Sequence, residues 1–346
     1  MSFNYIGSKK KLIDFIDTPI KDIITSDTTF LDAFAGTGIV GSSFERKYNC
    51  KIIANDMEYY SYIINYALLC VPFTKKLDKI IKTINTLQVK NTEYKLIVNN
   101  YSPDGGRLFW TKDNAFRCDF IRYYIDKLLE KTSITQSEHI YLVACLLAAM
   151  DKRANTTSVY GAFLKQFKKS AIPQIVIEPI HRVEKMNPNN QVYNLNINSS
   201  TIYERDYDIV YLDPPYNERM YSSNYHPLNY IAHYKDLSIY GKTGLITDYN
   251  KSKYCHKSNA FEMLTELIEN LKTKHIILSY NNEGIMKLDD IKKLFMSKGN
   301  LTLYKKIYKK YKSNKTQEDE NVYELLYHCE ISSTSELNTF NEIILV

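Results

Sequence analysis

Asp213-Pro214-Pro215-Tyr216 has the residue types of a reactive loop: a carboxylate that accepts hydrogen bonds or positive charge, two prolines that hold it rigid, and a ring to cover a planar group. Before it runs Tyr207-Asp208-Ile209-Val210-Tyr211-Leu212, whose apolar, β-branched members suit a strand buried inside a parallel sheet. Two consecutive prolines end that strand, and the carboxyl edge of an open α/β sheet is where ligands bind. DPPY alone is also compatible with an ordinary proline turn.

A second carboxylate sits in Thr29-Phe30-Leu31-Asp32-Ala33-Phe34-Ala35-Gly36-Thr37-Gly38, a short strand running into a glycine turn that opens a helix at Ile39. Gly36, Gly38 and Gly41 formally satisfy GxGxxG, which by itself is weak evidence for a dinucleotide. Asp32 argues against one, because it would repel a pyrophosphate yet accept hydrogen bonds from a cationic amino-acid moiety. A strand over 51–54 then leads to Asn55-Asp56, and Asp56 follows Gly36 by 20 residues, the spacing at which a carboxylate grips a ribose diol. The helix after it carries Tyr60, Ile63, Ile64, Ala67, Leu68 and Val71 on one face until Pro72 closes it, which completes a nucleoside-binding half.

The remaining elements must position these groups. Between Phe73 and about Asn190 helical periods dominate, at 113–129 and in the strongly apolar 139–150, and the alternation of strand and helix is lost. We read 74–190 as an insertion carrying a polar, basic loop, with 1–73 and 191–346 forming the catalytic domain. The chain returns to the sheet near 192–195, and after DPPY come a tyrosine-rich segment, a helix from Phe261, a strand at 275–280, a helix at 288–295 and two strands, 301–308 and 322–329, joined as a hairpin at the sheet edge. The fold class expected is α/β, a mostly parallel Rossmann-like sheet with an antiparallel terminal hairpin.

Composition narrows the partners. The net charge of +6 is concentrated: six lysines fall within 305–315 (Lys305, Lys306, Lys309, Lys310, Lys312 and Lys315), and Lys152, Arg153, Lys165, Lys168 and Lys169 form a second set. Such patches suit a polyanion, although each alone also suits a solvated face. Six scattered cysteines with no CxxC pair indicate neither a zinc site nor a disulfide framework. The lack of an apolar run of membrane length, and of an apolar core at the amino terminus, leads us to expect a cytosolic protein.

Taken in order, YIGSK at the start, FLDAFAGTG, ND and DPPY resemble the DNA adenine methylase family of adenine-N6 methyltransferases, and DPPYNERMYSSNYHPLNYIA with LSYNNEGI resembles its restriction-modification members. The resemblance implies that Tyr5, Lys9, Asp32, Phe34, Gly36, Gly38 and Asp56 bind S-adenosylmethionine, with Asn196 standing near the cofactor adenine where the family usually has Asp. It implies that Asp213, Pro214, Pro215 and Tyr216 hold an adenine flipped from duplex DNA, and that Lys152, Arg153, Lys165, Lys305, Lys306, Lys309, Lys310 and Lys312 hold phosphates. It leaves room for a cognate restriction endonuclease acting on the same site. Rival readings are methylation of RNA adenine or of cytosine N4, and a catalytically idle DNA-binding module of the same fold. A dehydrogenase is disfavoured by Asp32.

Overall fold

A computed structural model describes residue 3 and residues 7–89, 94–308, 322–332 and 338–345 of the chain. Its strands are β1 (Thr29–Asp32), β2 (Lys51–Asn55), β3 (Gln191–Tyr193), β4 (Asp206–Leu212), the short pair β5 (Ile239–Tyr240) and β6 (Leu245–Ile246), then β7 (Lys272–Asn281), β8 (Gly299–Tyr308), β9 (Val322–Ile331) and β10 (Phe340–Leu345). Eight of them make one sheet in the order β10-β8-β9-β7-β4-β1-β2-β3, while β5 and β6 pair separately. Every neighbouring pair in the large sheet is parallel except those of β9, which runs against both β7 and β8.

The order follows from burial. Phe30 and Leu31 of β1, and Ile209, Val210, Tyr211 and Leu212 of β4, are almost wholly buried, so both faces of these strands are covered, as parallel strands require. From β1 the chain builds outward to β2 and β3, then crosses back to lay β4 against the other side of β1, with Phe30 opposite Ile209 and Asp32 opposite Tyr211. The direction of winding reverses between β1 and β4, and a crevice opens outside the carboxyl ends of strands at such a point. Asp208 locks the far end of this junction: Oδ2 accepts from the Thr29 amide at 2.8 Å and Oδ1 pairs with Lys274 of β7 at 2.7 Å.

The helical stretch is built on Lys112–Glu130 and Gln136–Lys152. Thr135 and Glu138 form a capping box at the start of the second, whose residues from His139 to Asp151 are all buried. That helix is the centre of a core shared with Tyr60, Ile63 and Ile64 of the nucleoside half and with Tyr225, Leu228 and Ile231 from the segment after DPPY. The helical stretch therefore packs directly on the elements that follow β2 and β4. Among the described residues no helix is long and apolar enough to cross a membrane.

The terminal hairpin does not lie at the edge. Leu325, Leu326, Tyr327 and Cys329 make β9 apolar on both faces, and it fills the place between β7 and β8. The outer flank of β8 is covered by β10, which the sequence pattern did not reveal.

Gly38 starts the helix Ile39–Tyr48 at φ 72, and a Cβ there would stand 2.6 Å from Asn65 Oδ1. Gly38→Ala is expected to cost about 1–3 kcal/mol, read as a lowered midpoint in denaturant unfolding followed by the fluorescence of Trp110, the single tryptophan. An unchanged midpoint would contradict this packing.

Candidate active site

The β1 turn is fixed from behind by the helix Tyr59–Cys70. The Gly36 carbonyl accepts from Ser61 Oγ and from Asn65 Nδ2 at 3.0 Å, and the Gly36 amide donates to Asp56 Oδ2 at 2.8 Å. Gly36 has φ 51, a left-handed conformation that suits glycine. Gly41 serves packing: a Cβ there would meet Ile52 Cγ2 at 3.0 Å, so its absence lets the helix Ile39–Tyr48 lie close on β2. Asn55 clamps the neighbouring loops, donating to the Ala33 and Leu195 carbonyls and accepting from the Leu195 amide.

In front of this turn lies a cavity whose lining includes Phe34, Asp56, Glu58, Asn196, Asp213 and Tyr254. Asp56 is held by two amides, Gly36 on Oδ2 and Glu58 on Oδ1, both at 2.8 Å. Phe34 stands edge-on to Tyr254, ring centroids 5.0 Å apart, and adds apolar wall. Asn196 is exposed, its Oδ1 accepting from the Asn198 amide at 3.1 Å.

Asp32 does not line this cavity. It is 1% exposed at the end of β1, with Oδ2 accepting from the Gly41 amide at 3.0 Å and Oδ1 unpartnered among the described residues. Strand alternation explains the placement, since the side chain points into a sheet face while Ala33 and Phe34 beyond it reach the crevice. Burial pushes the Asp32 carboxyl up to about 7, with the neighbouring Asp213 and Asp56 adding to the effect. A cation reaching the turn would meet a group whose charge is costly until neutralised.

Asp213 faces the same cavity from the end of β4, and its Oδ1 accepts from the Tyr216 hydroxyl and faces the Lys9 ammonium at 3.3 Å. Lys9, 3% exposed, also donates to the Tyr216 hydroxyl, lies 4.7 Å from the centre of that ring and stands 3.7 Å from Glu324 Oε2. The structure thus gathers Lys9 under the DPPY loop rather than on the cavity wall. Tyr216 packs edge-on against Tyr280 at 5.2 Å, and Ser279 Oγ is 3.3 Å from its hydroxyl. Burial raises the Asp213 carboxyl, and Lys9 and Tyr216 pull it back down. Pro215 lines the cavity and Pro214 is buried beside it. Tyr5 lies outside the described residues.

Glu58, Glu324 and the segment 247–258 were not anticipated. Glu58 is 5% exposed, accepts from Asn229 Nδ2 at 2.5 Å and is pushed up to about 8, first by burial and then by Asp56. An acid two residues past Asp56 at a helix start was a usable signal for it. The segment 247–258 closes over the cavity through Asn250, which donates to the Met57 carbonyl and accepts from Ser222 Oγ, and through Tyr254, which donates to Asn198 Oδ1.

The basic residues divide. Lys152 pairs with Glu178 at 3.2 Å, Arg153 donates to the Ser170 carbonyl and Lys165 is exposed, so these stand on the surface of the insertion. On β8, Lys305 pairs with Glu342 of β10 at 2.8 Å while Lys306 turns to the other face, 5.8 Å above the Phe15 ring. Period-2 alternation separates the two, and they form no single basic stripe. Lys309, Lys310 and Lys312 lie outside the described residues.

A switch-point crevice flanked by a glycine turn, an acid at the end of the second strand and an acid-proline-proline-aromatic loop fits a Rossmann-like methyltransferase. Residues 5–294 match the model of the D12 class N6 adenine-specific DNA methyltransferase family. The chain is 40% identical over 322 residues to the Type II methyltransferase M.NlaIII of Neisseria lactamica, with 91% of this chain and 94% of that protein covered. It is 36% identical over 326 residues to the Type II methyltransferase M.CviAII of Paramecium bursaria Chlorella virus 1, covering 93% and 97%. Against the Type II methyltransferase M.FokI of Planomicrobium okeanokoites it is 36% identical over 340 residues, covering 94% of this chain and 52% of that longer protein. The chain belongs to the D12 class of N6 adenine-specific DNA methyltransferases.

The raised acids set a pH dependence. Folded Asp32 and Glu58 keep protons up to about 7 and about 8 that the unfolded chain releases near 3.8 and 4.5. Their contribution to stability is therefore fully present below those lower values and declines as pH rises toward 8. Asp32→Asn is expected to flatten the fall in melting temperature between pH 5 and 8, measured by calorimetry without cofactor. A variant whose melting curve shifts equally at every pH would contradict the assignment.

Proposed function

We propose that this methyltransferase uses S-adenosylmethionine to methylate N6 of an adenine swung out of duplex DNA, in the cytosol, as the modifying half of a restriction-modification pair. Its Type II relatives support that setting. The observation that carries the site assignment is that Asp56, at the end of β2, and Asp213, at the end of β4, face one cavity from the two sides of β1.

Bound there, the cofactor supplies an activated sulfonium methyl. Asp56 suits its ribose diol and Phe34 with Tyr254 its apolar surface, and the charge of Asp32 behind the turn favours its cationic amino acid. The chain's own residues then act on the base. Adenine N6 is a poor nucleophile because its lone pair is delocalised into the ring, so positioning matters more than a strong base. Transfer would form the N6–carbon bond as the carbon–sulfur pair leaves on the thioether sulfur, and N6 would be positive until one of its hydrogens departs as a proton to solvent. The Asp213 carboxylate and the Pro214 carbonyl accept its two hydrogens and stabilise that charge. Tyr216 covers the base, offsetting part of the unstacking cost of a few kcal/mol. Residues 74–190 act as the target-recognition region, with Lys152, Arg153 and Lys165 on phosphates.

Protein incubated with methyl-labelled S-adenosylmethionine is expected to label duplex DNA at adenine N6, with Asp213→Ala slowing transfer by about 10²-fold or more while DNA still binds. Label on RNA or on cytosine alone would contradict the reading. Asp56→Ala is expected to weaken cofactor binding by about 10- to 100-fold in calorimetry, the worth of a hydrogen bond to a charged group. Replacing Lys152 and Lys165 together by Gln should weaken DNA binding and lower the salt slope by about 1 to 2. An unchanged slope would remove them from the phosphate contacts.

A further inference from the structure

Asp213 is occupied in the structure. Its Oδ1 is shared by the Tyr216 hydroxyl and the Lys9 ammonium, so that oxygen is engaged before any amine arrives. Lys9 is buried, and a buried cation released without a partner is strongly disfavoured. Besides Asp213, the carboxylate within 4.0 Å of Lys9 is Glu324, whose Oε2 lies at 3.7 Å, is buried and has no hydrogen-bond partner among the described residues. Its backbone is held on both flanks, Glu324 pairing with Asn281 of β7 and Lys306 of β8, so the acid is presented from a rigid interior strand. Tyr216 has its own second partner in Ser279 Oγ.

We propose that Glu324 is a positioning residue for methyl transfer, receiving the Lys9 ammonium when the adenine amine displaces it from Asp213. This rests on the assignment of Asp213 as the acceptor of that amine. No proton moves in the exchange: Lys9 stays charged, passes from one carboxylate to the other and leaves Asp213 Oδ1 free to accept from N6. Burial raises the Glu324 carboxyl, and Lys9 is the group that pulls it back, as expected of a counter-ion in waiting. Nothing in the local sequence marks the residue, which lies 315 positions from Lys9.

The test is single-turnover methylation of plasmid DNA by Glu324→Gln, Glu324→Asp, Lys9→Met and the Lys9→Met/Glu324→Gln double variant, alongside cofactor and DNA affinities. Glu324→Gln is expected to slow transfer by about 10-fold or more with both affinities within about twofold, because charge at Glu324 acts after binding. Glu324→Asp, which keeps the charge, should recover part of the rate. The double variant should be no slower than Lys9→Met alone, since Glu324 acts only through Lys9. Multiplying losses, a Gln variant at the parent rate, or an Asp variant no faster than Gln would overturn the proposal. Asp213→Asn run beside them separates the two layers. If it transfers at the parent rate, the amine assignment itself falls. If it is inactive while Glu324→Gln is unimpaired, only the hand-over falls.

Discussion

The backbone ladder between β1 and β4 is the constraint on which the rest of the molecule depends. Those two strands are separated by more than 170 residues of chain, and their parallel pairing is what sets the glycine turn and the DPPY loop over one crevice. Both strands are buried on both faces, so a slip by one residue would turn core side chains out of their places. Asp208 adds a polar lock at the amino end of the junction. With register fixed at one end, the carboxylates at the other are separated by geometry that the ligand need not create, which is the form that positional catalysis takes.

Around that ladder the molecule concentrates buried acidic groups. Asp32, Asp56, Glu58, Asp213 and Glu324 all have carboxyls raised chiefly by burial. Of the basic groups, Lys9 reaches this cluster, and it sits on the Asp213 and Glu324 side. Among the described residues the side toward Asp32 has no such neighbour, and one of its oxygens is left unsatisfied. An arrangement of this kind is costly when empty and favours a cationic ligand, so stability is given up where binding is gained. The same logic ties the insertion to the chemistry. Its long apolar helix shares a core with the helix behind Asp56 and with the helix after DPPY, so the 74–190 stretch is packed against both walls of the crevice.

Local chemistry made much of this legible in the sequence. The apolar run into two prolines, the glycines after Asp32 and the acid 20 residues further on each carry a physical requirement within a few positions, and the helix Gln136–Lys152 shows itself as the strongly apolar stretch 139–150. What stayed hidden depends on contacts across the sheet. Glu324 is an ordinary strand acid until β9 is inserted beside β7, and the Lys9 contact with Asp213 spans 204 residues. Asp32 read correctly as an acid at the turn, yet strand alternation put it behind the cavity wall rather than on it. The same alternation separates two lysines of the 305–315 run: Lys305 and Lys306 are adjacent in sequence and opposite in space.

The central claim is that one cavity at this sheet edge brings a methyl donor and an extruded adenine together over Asp213. Its most direct test is a crystal structure of the protein with a nonreactive S-adenosylmethionine analogue and duplex DNA containing the modified site. The account predicts the analogue's ribose on Asp56 and the adenine amine about 3 Å from Asp213 Oδ1, with Lys9 moved onto Glu324. An analogue bound elsewhere, or an extruded base whose amine lies away from Asp213, would contradict it.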